Sequence, residues 1–478
     1  MNFSLDLDKQ PLILAGPILR RCQPEDVTVF VALQKRQFVT LRVYKDDEET
    51  QEVLIGTRET VALGANLHVV AVTAKVQPPA LSLDWGGTYH YNLFFSRGPD
   101  PTVGEHLLKS ANNLTSKGIL LVTDPAQEPL DLTALSRLTY DSFRLPSFTL
   151  PPDDLDQLRV IHASCRKPHG EGKDMMGKLD ELIEDSITTP TNPTPAEPRP
   201  HQLFLTGDQI YADDVADQLL WMLHGASKEL LIKKIPEIGA DIPNPDRWEK
   251  EESITVCTEW DENNKFKVCK TEKVVEDFWE TYGSNKREEL LEKHGFTAGI
   301  VSGSHLILLG EFYAMYLFIW SDRLWPGAVL NSEFELESAF RVVFPDEPLK
   351  KEVSRTRAHS GTIIDEVDSP LFLKFKSNQK QLQKFKDTLP QVRRALANIP
   401  TYMIFDDHDV TDDWYLNYEW CINVLGNPFG KRVIQNAMMA YSIFQAWGNT
   451  PRLSHKNFTC LSIDSRLAIE SDKSSIAA

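Results

Sequence analysis

Cations are in short supply in this chain: 51 Lys and Arg stand against 69 Asp and Glu, a formal net charge of −18. That balance excludes a general nucleic-acid or anionic-membrane surface, because both need clustered Lys and Arg. A small local positive site for a phosphorylated substrate stays compatible with it. Long apolar runs are also scarce. The longest, His305–Trp320, is short for a bilayer span and carries Glu311 mid-run, so it reads as a buried helix. The six cysteines, at 22, 165, 257, 269, 421 and 460, are scattered and show no zinc-type C-x-x-C spacing. The opening stretch MNFSLDLDKQPLILAG has no basic region ahead of an apolar one, the pattern of an export signal. Reduced thiols in a cytoplasmic protein are the expectation; Cys257 and Cys269 would pair only in an oxidising setting. Two catalytic signatures are missing too, the G-x-x-x-x-G-K-[ST] phosphate loop and the G-x-S-x-G elbow.

What is present suits a globular protein with a real core, with 41% hydrophobic and 25% charged residues. Residues 1–150 are β-rich. Asp26–Leu33 and Phe38–Tyr44, separated by a polar connection, form a hairpin signal, and LHVVAVTAKV, YHYNLFF and GILLVT repeat the style. They predict an all-β sandwich domain without a catalytic cluster. The Pro/Asp-rich FTLPPDDLDQ then reads as a linker, and residues 151–478 alternate strands with helices as an α/β domain does. The spacing predicts helices around Met175–Ile187, over VADQLLWMLHGASKELLIKKI and over Gly310–Pro326. A further helix is expected from an N-cap at Ser377, kinked or divided at Pro390. Residues of about 236–300 read as a cap or insertion, and Phe344–Pro370 as a second mobile-looking region.

Three short strands in this second part end in ligand-type side chains. Leu158–Ser164 runs into Cys165, Leu203–Thr206 into Gly207-Asp208, and Tyr402–Phe405 into Asp406-Asp407-His408-Asp409. Each has an ordinary explanation. The stretch from Asp208 to Asp214 suits an acidic first helical turn, and the Asp-Asp-His-Asp run suits an exposed loop. Open α/β sheets, however, keep their ligands at the carboxyl ends of their strands. Cysteine, carboxylate and imidazole delivered to one sheet edge suit a metal ion.

The motifs SCRK (Ser164–Lys167), GDQIYADD (Gly207–Asp214) and DDHDVTDDW (Asp406–Trp414) resemble those of the PhoD-like metallophosphatases, within the calcineurin-like metallophosphoesterase superfamily. The likeness extends over roughly residues 10–450. It implies a four-layer α/β/β/α core behind the β-sandwich, and hydrolysis of a phosphate monoester or diester by a metal-activated water. Iron and calcium are the implied cofactors and a small phosphorylated molecule the implied substrate. Carried over, Cys165, Asp208 and Tyr211 are iron-binding positions, Asp208 bridges to a second metal, and Asp406 and His408 contribute to that second site. Arg166 stands where a cation would meet substrate oxygens, a role inferred from chemistry and not from the family.

Two departures from the family pattern matter. Ala212 stands where many relatives have Glu, and no late GD-x-H or GH-x-H motif follows Trp414; the only later histidine is His455. The second metal is therefore expected to be short of ligands, in a chain either truncated or divergent. The alternative function is a weak or inactive member serving as a metal- or ligand-binding scaffold. Oligomeric state is open.

Overall fold

Strands β1 (Ile13–Gln23), β2 (Asp26–Leu33) and β6 (Leu67–Val76) are apolar on both sides because each side meets a different core. In β2, Val27, Val29, Val31 and Leu33 join one cluster while Phe30 and Ala32 join another, the period-two alternation of a pleated strand. The computed structural model that shows this describes residues 3, 5, 7–77, 82–99, 138–187 except 141 and 142, 197–231, 254–260, 266–272, 279–296 except 280, 281 and 285, 302–357 except 328 and 331, and 361–451 except 413 and 415. The architecture is mixed α/β, a curled antiparallel sheet with helices. GILLVT and His455 lie outside the described residues.

The expected sandwich of two sheets is instead a single hydrogen-bonded one. With β3 (Phe38–Tyr44), β4 (Glu52–Glu59), β5 (Val61–Gly64), β7 (Thr88–Ser96) and β8 (Ser147–Thr149), the order is β1-β2-β6-β4-β3-β7-β8, and β5 lies beside β6. The ten-residue β6 explains the difference. One of its edges pairs with β2 throughout, while the other is shared between β5 at Val69 and β4 at Val76, so the sheet curls without a break. The outer face packs onto the rest of the chain, where Phe30 meets Phe444 at 5.7 Å between ring centroids. The same apolar cluster holds Ile18 and Ala71 together with Leu205 and Tyr316, and so runs across residue 150.

A second, parallel sheet carries the candidate site. It is built of β9 (Val160–Ala163), β10 (Gln202–Thr206) and β15 (Thr401–Ile404), in the order β15-β10-β9. Leu205 lies opposite both Ala163 and Met403, so the three carboxyl ends are level. Between β9 and β10 runs helix α1 (Met176–Asp185), the crossover that parallel strands require.

The outer edge of β15 is closed by a side chain. Asn449 accepts from Met403 N–H at 3.1 Å and donates to its carbonyl at 2.5 Å, doing the work of a neighbouring strand. Buried Arg20 of β1 reaches the same place, donating to Asn449 Oδ1 at 2.8 Å and to the Gln445 carbonyl at 2.6 Å.

The long β10–β15 connection contains α2 (Asp217–Leu231), α3 (Arg287–Glu292), α4 (Leu309–Trp320), α5 (Glu333–Val343) and α6 (Pro370–Asn398); α7 (Pro428–Tyr441) follows β15. Glu311, the one charge inside the apolar run, is fully buried. It is held by Arg287 at 2.7 and 2.8 Å, by His224 at 3.0 Å and by the N–H groups of Ile307 and Leu308. A buried carboxylate is tolerable only with such a complete set of partners.

Three local expectations need correction. Helix α6 starts at an N-cap on Ser369, whose side chain accepts from Phe372 N–H, and not at Ser377. It also runs unbroken through Pro390, because Leu382, Phe385, Leu389, Val392 and Leu396 on one face are all buried. The stretch within Phe344–Pro370 contains an antiparallel hairpin, β13 (Lys350–Arg357) with β14 (Gly361–Asp368). The cap region likewise holds β11 (Ile254–Trp260) paired with β12 (Phe266–Glu272), whose register sets residue 257 opposite 269. No helix among the described residues is long and apolar enough to cross a membrane.

Candidate metal centre

Level strand ends put Cys165, Asp208 and the Asp406–Asp409 turn on one edge. Cys165 and Asp208 are both left-handed, at φ 58° and 50°, a conformation that non-glycine residues adopt at a cost and that gathers at functional sites. Two backbone bonds hold them there, Cys165 N–H to the Gly207 carbonyl at 3.3 Å and Arg166 N–H to the Asp208 carbonyl at 2.8 Å. Gly207 is needed between them. Its φ is 119°, and a Cβ there would lie 2.3 Å from Cβ of Asp406.

Asp208 is the hub. Its Oδ2 accepts from the Cys165 thiol at 3.2 Å and from the Tyr211 hydroxyl at 3.4 Å. Its Oδ1 is buried without a hydrogen-bond partner among the described residues. Burial raises the pKa of Asp208; the thiol contact and His408 pull it down, and Asp407 and Asp406 push it up. Burial also raises the Tyr211 hydroxyl, with the Asp208 carboxylate and Cys165 adding to the effect.

The last turn of the site is a 3-10 turn over Asp407–Asp409, and it sorts its carboxylates by position. Asp406 is exposed and caps the turn, its Oδ1 accepting from Asp407 N–H at 3.0 Å. Asp409 points inward and accepts from the N–H groups of Asp208 (2.7 Å), Asp406 (3.0 Å) and Ile210 (3.3 Å) and from the Gln445 amide (3.1 Å). It thereby ties the β10 loop to the β15 loop. Its burial raises its pKa to about 7.

His408 stacks on Tyr211 with ring centroids 4.6 Å apart. Its Nδ1 meets both oxygens of buried Asp213 at 2.9 and 3.0 Å, and Nε2 lies 3.8 Å from Asp412. The hydrogen bond to Asp213 raises His408 to about 9, against the opposing effect of burial.

Two groups of side chains each bring three ligand atoms within 4.8 Å of one another: Asp208, Asp407 and His408, and then Asp213, His408 and Asp412. Either could hold a metal ion. Of the positions expected from sequence, Cys165, Asp208, Tyr211 and His408 lie together, while Asp406 caps the turn through Oδ1 and falls outside both groups. Asp407 and Asp213 stand in addition. Within the sequence Asp213 showed only as one of two acids after Tyr211, and Asp407 as one of a run.

Arg166, the cation expected to meet substrate oxygens, is engaged by groups of the fold. Its guanidinium donates twice to Asp174, at 2.7 and 2.9 Å, and once to the Ile319 carbonyl at 2.6 Å, and it lies over the Phe385 ring. Lys167 lies beside Tyr211. Its ammonium pairs with Asp214, which His169 also approaches at 3.3 Å, and lies 5.6 Å from the centroid of Tyr211. Despite burial, the hydrogen bonds from His169 and Lys167 hold the Asp214 carboxyl below its usual range.

No family model matches this chain, and no curated protein matches it. Among solved structures, one titled "Structure of PhoD" aligns with 92% of this chain at 11% identity and a TM-score of 0.32. The chain spans 47% of that structure's length.

Proposed function

We propose that the chain is a metal-dependent phosphoesterase that hydrolyses a small phosphate monoester or diester. The observation that carries this reading is the buried, unpartnered Oδ1 of Asp208 at the meeting point of three parallel strand ends. Burying a carboxylate oxygen without a partner is costly, and a cation removes the cost. The donor set fits such an ion. Asp208, Asp407 and His408 supply hard oxygens and an imidazole, with Cys165 and Tyr211 beside them as anionic ligands suited to iron; the carboxylates suit calcium.

In this reading Asp208 and His408 would hold the ion, His408 through Nε2 because Asp213 occupies Nδ1. A bound cation supplies Lewis acidity toward the phosphoryl oxygens and lowers the pKa of water. The chain's own residues orient the ester. Lys167, whose ammonium lies 5.6 Å from the Tyr211 ring centroid, presents a positive charge beside the centre, and Asp409 holds the two loops in register. Water adds its oxygen to phosphorus, the ester P–O bond breaks, and the alcohol leaves with a proton. A four-layer α/β/β/α core and the division near residue 150 belong to the same proposal.

A second reading, a metal- or ligand-binding scaffold with weak or no activity, rests on the ligand count. Each described cluster offers three groups, and a two-metal clamp asks for more. Elemental analysis of the purified chain alongside hydrolysis of an aryl phosphate separates the two. The phosphoesterase reading expects bound metal and turnover, both lost in Asp208→Asn. Metal without turnover favours the scaffold, and full metal content with full activity in Asp208→Asn removes the site.

A further inference from the structure

Oδ2 of Asp409 accepts from the N–H groups of Asp208 and Asp406, and Oδ1 from that of Ile210. These three donors belong to the two loops of the site and travel with them. A fourth comes from outside. Gln445, fully buried, donates from Nε2 to Asp409 Oδ1 at 3.1 Å and to the Tyr316 hydroxyl at 2.9 Å. A hydrogen bond to an ionised acceptor is of the stronger kind, and burial removes water as a substitute for it. Gln445 is itself held firmly. It lies in a π-helical turn, Ser442–Ala446, a form that is frequent at functional sites. Its carbonyl accepts from the Arg20 guanidinium of β1 at 2.6 Å. Gly448 makes that approach possible, since a Cβ there would lie 2.2 Å from Arg20 Nε. The preceding Phe444 stacks on Tyr316 of α4, with ring centroids 5.1 Å apart.

We propose that Gln445 is a positioning residue of the metal centre, anchoring Asp409, and through it the backbone of Asp208, to α4 and β1. The inference rests on the metal-centre reading and extends it to a residue 36 positions beyond Asp409 that meets neither of the candidate metal groups. Without this donor the two loops stay tied to each other but lose their tie to the body of the fold, and Asp409 Oδ1 is left short of a bond. A metal site tolerates little displacement of its ligands, so the direction of the Asp208 carboxylate depends on that tie. Partners one bond removed from a ligand are worth roughly 10- to 100-fold in metal affinity. Gln445 acts one step further out, and a loss of about tenfold is expected, the lower end of that range.

The test compares two variants of the full chain. Gln445→Met keeps the length of the side chain and removes the donor; Asn449→Ala loosens the neighbouring edge of β15 and touches no bond of Asp409. Calorimetric titration with Mn²⁺ is expected to show about tenfold weaker binding in Gln445→Met and unchanged binding in Asn449→Ala. Amide hydrogen exchange of the metal-free chain is expected to accelerate at Asp208 and Asp406 in the first variant and at Met403 in the second. Wild-type Mn²⁺ affinity in Gln445→Met overturns the inference, and so does equal weakening in both variants, which would mark a loss of stability alone. If Gln445→Met does not fold, Gln445→Asn, whose amide falls one methylene short, carries the same test. A wild type that takes up no Mn²⁺ rejects the metal centre itself. The exchange pattern then decides the anchoring separately: acceleration at Asp208 and Asp406 keeps it, and unaltered exchange there removes it.

Discussion

The carboxylate of Asp213 meets Nδ1 of His408 at 2.9 and 3.0 Å, joining the loop after β10 to the loop after β15. Asp213 is buried and His408 is half-buried, so the pair fixes which ring nitrogen faces the acidic edge.

This pairing makes Asp213 a positioning residue. Asp213→Asn keeps the size of the side chain and removes its charge, and it is expected to weaken metal binding by roughly 10- to 100-fold. Titration with Mn²⁺ followed by calorimetry reads the effect directly. An unchanged dissociation constant would show that His408 is oriented by something else.

Gly207 accounts for the close approach of β10 to β15. Gly207→Ala must place a methyl group 2.3 Å from Cβ of Asp406 at a φ of 119°. The expected loss is at least about 2 kcal/mol of unfolding free energy, from overpacking and backbone strain together. Urea denaturation measures it, as a lower midpoint with an unchanged slope. A midpoint equal to that of the wild type contradicts the geometry.

Asn449 stands in for a strand at the edge of β15. Asn449→Ala leaves the Met403 N–H and carbonyl unpaired and takes one partner from Arg20. A cost of about 1–3 kcal/mol is expected for the groups left unsatisfied. Amide hydrogen exchange at Met403 should accelerate with it, ahead of exchange in β10. Exchange that is unaltered at Met403 rules out the edge role.

His68 gives a pH signature remote from the centre. Burial lowers its pKa from 6.5 to about 4, partly offset by a hydrogen bond to the Ala65 carbonyl. The unfolded chain takes up this proton near pH 6.5 and the folded chain only near pH 4, so unfolding binds a proton between those values. Its stabilising contribution is complete above about 6.5 and is lost as pH falls toward 4, a change of about 3 kcal/mol. Stability measured relative to His68→Gln should therefore fall by about 2 to 3 kcal/mol between pH 7.5 and pH 4.5. A difference that does not move with pH shows that His68 is not buried in the neutral form.

Much of this was local enough to be legible in the sequence. The apolar runs ending at Cys165, Asp208 and Asp406 announce three strands with ligand-type residues behind them, because strand patterning and turn chemistry act over a few residues. The same locality explains α2, whose apolar residues recur at helical spacing, and α4, which is apolar throughout and buried all round. Tertiary structure decided what adjacent residues cannot decide about each other. Only the 3-10 turn makes Asp406 a cap, turns Asp409 inward and leaves Asp407 beside Asp208. Arg166 and Lys167 are neighbours in sequence, yet Asp174 and the Ile319 carbonyl claim the first and leave the second beside Tyr211. Asp213 gains its role from His408, far along the chain, and Asn449 gains its role from Met403. Sequence by itself determined that ligand-type residues follow three strands; the direction in which each side chain points depends on partners that only folding brings into reach.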